Sequence, residues 1–515
     1  MNATPSTDSN PHVNPLYTRP MEVGNMEIRP LDLLEHVLAT GSTGSGKTRS
    51  LVLPLVEQVL RRFGTAPAEK AGMLLIDAKG DMVKLAAECA KRSRRAKDVF
   101  ILGEEGNCWF PPFDQFNGDP TAIANFLFET LEDRTGGGHS TISANESFWE
   151  ENARRLLRTA IVCAKARHGD GLGGVGGISQ SINDVVGCAQ MKVITVTANE
   201  SAVSAMKAVI ADGLQNNRIS STEAEEFEAY IENDVCRGSS NTWGTIANMT
   251  RNYLAQFSDP KLRALFEEGK GRRKLGPEDV IDEGLLLIVS LSPALYGAAS
   301  TPFRIAIKKA FCDRMLQRDH LETFDGALPR PINQIRPVIM VMDEFHTTLN
   351  PGGRSNEAFF LDKVREFRGM CVLATQGISA ISSVIGERSL RDHLLNNCRT
   401  KFFFANDCPE TSSYFEHIGG TEDRKVENIH YQRVPAPPRF RLPNHTFETA
   451  TKLAEVSRSL NTVGKPRFKS DELGKLPTGT ALVVTKGRKL IRYTMDPAAY
   501  GTPVGTTTHK RDSRK

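Results

Sequence analysis

Gly41-Ser42-Thr43-Gly44-Ser45-Gly46-Lys47-Thr48 decides how the rest of the chain is read. The spacing G-x-x-x-x-G-K-T lets consecutive backbone N–H groups curl around a phosphate chain. Lys47 can then reach the β- and γ-phosphates, and the Thr48 hydroxyl can join the shell of a Mg²⁺ ion. His36 to Thr40 reads as a short buried strand leading into this loop. Leu51, Val52, Leu55, Val56, Val59 and Leu60 recur at helical spacing after it, predicting a helix from Thr48 to Arg62. The start of that helix adds its positive end to the phosphate site.

A loop of this kind needs acids to do chemistry, and Val338-Ile339-Met340-Val341-Met342-Asp343-Glu344 supplies them. An apolar run ending in two carboxylates reads as a buried parallel strand, with its acids at the edge where α/β ligand sites lie. Asp343 is the candidate for holding Mg²⁺, and Glu344 the candidate general base toward water. Cys371 to Thr375 reads as another buried strand, with Gln376 at its tip as a γ-phosphate sensor. Arg365, with Arg368 close by, lies between the acids and Gln376 and is a candidate arginine finger presented across a subunit boundary.

Further strands are expected at Met73–Ile76, Val99–Leu102, Leu285–Val289 and Lys401–Ala405, with a late hairpin of Ala481–Val484 and Leu490–Tyr493. Between Asp119 and Leu275 the strand signal fades. Helical periodicity runs through Ala122–Glu132, Phe148–Ala166, Ala202–Ala211, Thr222–Asn233 and Thr242–Phe257, while Gly136–Gly138 and Gly171–Gly177 read as loops. The expected fold class is therefore α/β. A mostly parallel sheet of the phosphate-loop (RecA/FtsK-HerA-like) type would be flanked by helices and interrupted by an all-α insertion. The expected division is a flexible arm (1–20), a discontinuous motor domain (21–118 and 276–500), the all-α insertion (119–275) and a disordered tail (501–515). Residues 318–336 read as a polar connector.

The chain has 515 residues and a formal charge of +4, so nucleic-acid contacts must come from local patches. Nine cysteines show neither C-x-x-C pairs nor metal-ligand spacing, which argues for reduced thiols rather than a disulfide framework or zinc site. No apolar stretch is long enough to span a bilayer and no signal-peptide pattern opens the sequence, so a cytoplasmic protein is expected, peripheral at the inner membrane only through a partner.

In order along the chain, H-V-L-A-T-G-S-T-G-S-G-K-T, L-L-I-D-A-K-G-D, the Phe148-Trp149…Ala153 helix, V-M-D-E-F and Arg365 eleven residues before Gln376 resemble one family. It is the type IV secretion coupling proteins, the TraG/TraD-like hexameric ATPases of conjugation within the FtsK/HerA class of DNA motors. Residues 403–419 and 476–483 resemble its C-terminal motor region and closing hairpin. The resemblance implies ATP and Mg²⁺ as cofactors, a homo-hexamer with DNA in a central channel, Arg365 acting in trans, and relaxosome or secretion-channel partners. The usual transmembrane helices at the family's start are not expected here, and Asp77-Ala78 stands where the family has Asp-Pro.

The expected function is an ATP-driven DNA translocase for conjugative transfer. Three alternatives are an ATPase that recruits or remodels protein, a soluble FtsK/HerA-like motor of a mobile element or defence system, and a nucleotide-gated scaffold. Candidate DNA contacts are the clusters Lys91-Arg92-Arg94-Arg95-Lys97 and Lys270-Arg272-Arg273-Lys274.

Overall fold

A computed structural model describes residues 15–500 apart from 65, 67–68, 132–143, 173, 191–195, 256–259, 298, 319–335, 351–355, 437–438, 442–445, 449–450, 467–470, 486 and 488–489. The expected disordered tail, the Gly136–Gly138 loop and nearly all of the polar connector lie outside these residues, as do the first fourteen of the expected arm.

The main sheet has nine strands. In chain order they are β1 (Val37–Thr40), β2 (Gly72–Asp77), β3 (Val99–Leu102), β4 (Leu286–Ser290), β5 (Val338–Met342), β6 (Gly369–Thr375), β7 (Thr400–Phe404), β8 (Thr480–Val484) and β9 (Leu490–Thr494). Their spatial order is β9-β8-β7-β1-β6-β5-β2-β4-β3. The seven from β7 to β3 run parallel, and β8 and β9 close the edge antiparallel.

Alternation along the strands divides the apolar side chains between two layers. Val37 and Ala39, Met73 and Leu75, and Ile339 and Val341 face the layer that holds the Leu53–Arg62 and Val83–Arg92 helices. Leu38, Leu74 and Ile76, and Met340 and Met342 face the other, which holds the Ser300–Leu316 and Glu357–Val364 helices. A strand covered on both faces must be apolar at every position, which is why these segments are unbroken apolar runs in the sequence.

The second layer continues without a break into a packed set of helices. These are Pro120–Leu131, Ala144–His168, Gly174–Gln190, Val196–Gln215, Ser221–Tyr230, Ser240–Ala255 and Pro260–Phe266. The Ala144–His168 helix is the central one, burying Ala153, Leu156, Leu157, Ala160 and Ile161.

Two local expectations are corrected, and one element was not anticipated. The presumed Gly171–Gly177 loop is half helix: the Gly174–Gln190 helix starts inside it, because Ile178, Ile182, Val185 and Val186 bury at helical spacing and outweigh the poor propensity of glycine. The end of the presumed arm is anchored. Pro15–Thr18 is a helical turn whose Tyr17 is buried against Phe63 (5.0 Å) beneath the Arg368 guanidinium (4.8 Å). A long antiparallel hairpin, Thr421–Pro435 with Thr451–Pro466, stands as a two-stranded sheet of its own. Pairing only with itself, it lacks the apolar run that marked the strands of the main sheet.

Candidate nucleotide site

The strand order positions the site. β6 lies between β1 and β5, so the loop leaving β1 and the acids leaving β5 stand about 10 Å apart, two strand spacings, over the tip of β6.

In the loop, Gly44 and Gly46 adopt φ of +81° and +100°, where side chains are strained. Gly46 is also tightly packed: a Cβ there would stand 2.8 Å from the Gly479 nitrogen. Ser42 N–H donates to Ala405 O (2.8 Å), and Gly479 N–H donates to Ser45 O (3.0 Å). The loop is thus held from the side by the end of β7 and by the turn before β8. Beyond Thr48 the chain makes one wide turn, with Leu53 N–H donating to Thr48 O, and continues as the expected helix. The Lys47 ammonium is buried and donates to the carbonyls of Gly41 and Ser42 (3.2 Å for the latter). Burial lowers its pKa, against the raising influence of Glu344 and Asp343. Both acids therefore act on Lys47 within one pocket. A phosphate oxygen would offer this ammonium a stronger, charged acceptor than a carbonyl.

Asp343 and Glu344 are both 3 % exposed. Asp343 N–H donates to Ile76 O (3.1 Å), which continues the β5–β2 ladder into the site. Burial first, and then the Glu344 charge, push the Asp343 carboxyl up to about 6. Glu344 sits in the left-handed region at φ 48°, ψ 47°, a conformation costing a non-glycine residue on the order of 1 kcal/mol or more. Burial opposes its ionisation, but hydrogen bonds from Lys79 Nζ (2.5 Å) and Gln376 Nε2 (3.3 Å) hold its carboxyl below the usual range. Its other oxygen, Oε2, is buried, has no hydrogen-bond partner among the described residues and lies 3.6 Å from His346 Nδ1.

The structure therefore brings Lys47, Asp343, Glu344 and Gln376 together. Lys79 and His346 join them, and sequence reasoning missed both. Lys79 was within view, since it sits in the quoted D-A-K-G-D turn, but its aim depends on β2 lying beside β5. His346 follows the acids by two residues, and no sequence signal distinguished it.

Arg365 is elsewhere. It caps the Glu357–Val364 helix at the starting edge of β6, 3.3 Å from Glu35, while Gln376 is at the finishing edge. The seven residues of β6 put these edges about 20 Å apart, so Arg365 is remote from its own protomer's loop. Arg368 is engaged on Tyr17.

The first basic cluster is largely structural. Arg92 donates twice to Glu57 (3.0 and 2.7 Å), and buried Arg95 binds Asp98, Ala71 O and Gly284 O. In the second, Arg273 pairs with Asp279 and Glu283 and Lys274 with Asp114, while Lys270 and Arg272 line a cleft with Glu104, Glu105 and Tyr296.

The donor set fits a magnesium ion. Adjacent buried carboxylates, one with its pKa raised, leave negative charge that a divalent cation would offset, and Thr48 brings a hydroxyl at the start of the helix. Asp77 and Asp81 stand near Asp343. Both oxygens of Asp77 are already occupied, however, by the N–H groups of Lys79 (3.0 Å), Gly80 (2.8 Å) and Met82 (2.7 Å). Asp343 and Thr48 are the residues that would hold the ion.

A phosphate loop on β1, an acidic pair on β5 and one parallel strand between them define the chain as a P-loop NTPase fold. Residues 310–496 match the family model described as Type IV secretory system Conjugative DNA transfer. Several solved structures of the bacterial conjugative coupling protein TrwB share the fold. The unbound TrwBdeltaN70 form is 16 % identical, with 93 % of this chain and 89 % of that chain covered and a TM-score of 0.56. The TrwB complex with the GTP analogue GDPNP is 16 % identical over 93 % and 89 %, with a TM-score of 0.54. The complex with ADP and Mg²⁺ is 15 % identical over 93 % and 88 %, also at 0.54. No curated protein matches the sequence. Among the described residues no helix is long and apolar enough to cross a membrane.

Proposed function

We propose that this chain is an ATP-driven DNA translocase of the conjugative coupling-protein type. The observation that carries the reading is the convergence of Lys47, Asp343, Glu344 and Gln376 at one edge of one sheet. Lys47 binds the β- and γ-phosphates and draws charge off the leaving diphosphate. Glu344 takes a proton from water as its oxygen attacks the γ-phosphorus, and the bond from phosphorus to the bridging oxygen breaks to release ADP. Gln376 orients that water from the tip of β6. Mg²⁺, held by Thr48 and Asp343, would neutralise charge on the β- and γ-phosphate oxygens.

TrwB has been solved with nucleotide analogues and with ADP and Mg²⁺, which supports the same cofactors here. The conjugative DNA transfer family supports DNA as cargo.

The position of Arg365 supports a ring. Remote from its own loop and 57 % exposed, its side chain can exchange the Glu35 carboxylate for a neighbour's γ-phosphate. We assign it that role in a homo-hexamer, with the 119–275 helices, packed onto the second layer of the sheet, as the substrate-receiving part between the two motor segments. Relaxosome and secretion-channel proteins are the partners this assignment implies. ATP turnover measured with and without single- and double-stranded DNA tests the reading. Stimulation by DNA is expected; turnover indifferent to DNA but raised by a protein partner would overturn the cargo.

A further inference from the structure

Lys79 has no part in the scheme above, yet it makes the closest contact to its base. β2 and β5 are parallel neighbours, with Ile76 opposite Met342, so the two chains leave the sheet side by side. Lys79 is two residues past the end of β2 and Glu344 two past the end of β5. The turn presenting Lys79 is held rigidly. Asp77 accepts from three backbone N–H groups across it, Gly80 turns at φ +86°, and buried Arg304 donates to Ala78 O (3.4 Å) and Leu291 O (3.0 Å) beneath it. The Lys79 arm is different. Its side chain is 42 % exposed, against 4 % for Glu344, and a four-carbon stem with three rotatable donors can change acceptor without moving the backbone. Its charge is also felt at Lys47, whose pKa it helps to lower, so both cations border the pocket that holds Glu344.

We propose that Lys79 is a positioning residue that exchanges Glu344 for the γ-phosphate. With the carboxylate bound, Oε1 is blocked from water and the ammonium draws charge from the whole carboxylate, Oε2 included; when a triphosphate enters, its terminal oxygens take the ammonium and Glu344 is released to act. A diphosphate carries no such group and leaves the pair closed. Lys79 thereby distinguishes ATP from ADP and confines the active base to the ATP-bound state. The inference rests on the hydrolase reading, in which Glu344 is the base.

The test measures Mg²⁺-dependent binding of ADP and of the β,γ-imido analogue of ATP to the full chain. The proteins are the wild type, Lys79→Met, Lys79→Arg, Glu344→Gln and the Lys79→Met/Glu344→Gln double variant. Lys79→Met should weaken the imido analogue about tenfold and leave ADP within twofold, with Lys79→Arg recovering part of the loss. Glu344→Gln frees the lysine in advance, so it should tighten the analogue several-fold, but only where Lys79 is present; the cycle reads this coupling directly. Equal loss for both nucleotides, or no coupling in the cycle, overturns the proposal. Turnover of Glu344→Gln separates the two levels. If that variant still hydrolyses ATP, the base assignment itself fails. If it is inactive while Lys79→Met keeps full discrimination, only the exchange fails. Should Lys79→Met not fold, Lys79→Arg carries the same test: unchanged affinity for both nucleotides and no coupling to Glu344→Gln would overturn it.

Discussion

Arg365 and Gln376 stand at opposite edges of the same strand, one before β6 begins and the other just past its end. One protomer cannot bring both to one phosphate. If both serve catalysis, Gln376 works at home and Arg365 next door.

Complementation checks this directly. Arg365→Ala and Lys47→Ala should each lower turnover roughly 10³-fold in the assembled protein. Mixing the two restores a fraction of the activity, because some interfaces then pair an intact Lys47 with an intact Arg365. Mixed assemblies as inactive as either parent would place Arg365 outside the site.

Glu344→Gln keeps the shape of the side chain and removes its basicity. A loss of roughly 10²–10⁴-fold in kcat is expected, with nucleotide binding retained. Single-turnover measurements with radiolabelled ATP distinguish this from slow product release. An unchanged chemical step would rule Glu344 out.

Gly479 ties the phosphate loop to the closing hairpin. It has φ +78°, and a Cβ there would meet Met495 O at 2.3 Å, while its own N–H bonds Ser45 O. Gly479→Ala should destabilise the fold by about 1–3 kcal/mol and weaken nucleotide binding with it. Denaturant midpoints and nucleotide titrations on the same sample measure both. Unaltered binding would show that the loop keeps its shape without this brace.

His36 makes stability depend on pH. It is fully buried just before β1. Its Nε2 lies 2.8 Å from Leu361 O, and the Cys371 N–H donates to its Nδ1 (3.3 Å), so the ring is neutral with the proton on Nε2. Burial lowers its pKa from 6.5 to about 4. The unfolded chain therefore takes up a proton below pH 6.5 that the folded chain refuses until about pH 4. The stability this residue contributes is complete above pH 6.5 and is lost as pH falls toward 4. At roughly 1.4 kcal/mol per unit, the loss comes to about 3 kcal/mol. His36→Asn should flatten the stability curve between these limits, whatever it does to the absolute level. An unchanged slope would assign the titration to other groups.

Much of the sheet was legible in the sequence because a strand buried on both faces must be apolar throughout, and Val338–Met342 or Met73–Ile76 admit no other reading. The Thr421–Pro435 hairpin was not legible, since a ribbon bonded only to itself carries no such run. The Gly174–Gln190 helix was obscured by glycines whose cost its apolar face outweighs. Within the site, Lys47, Asp343, Glu344 and Gln376 could be named in advance, because each sits at the end of an apolar run or inside a complete motif.

The sequence by itself determined the candidate residues Lys47, Asp343, Glu344 and Gln376: phosphate loops and strand-terminal acids are local patterns, specified by backbone conformation and by burial along single segments. Only the tertiary structure decided how those segments meet. The insertion of β6 between β1 and β5 puts Gln376 between the loop and the acids, the β2–β5 pairing delivers Lys79 to Glu344, and the length of β6 sends Arg365 to the far edge. Strand order is settled by contacts among residues hundreds of positions apart, and no window of sequence records it.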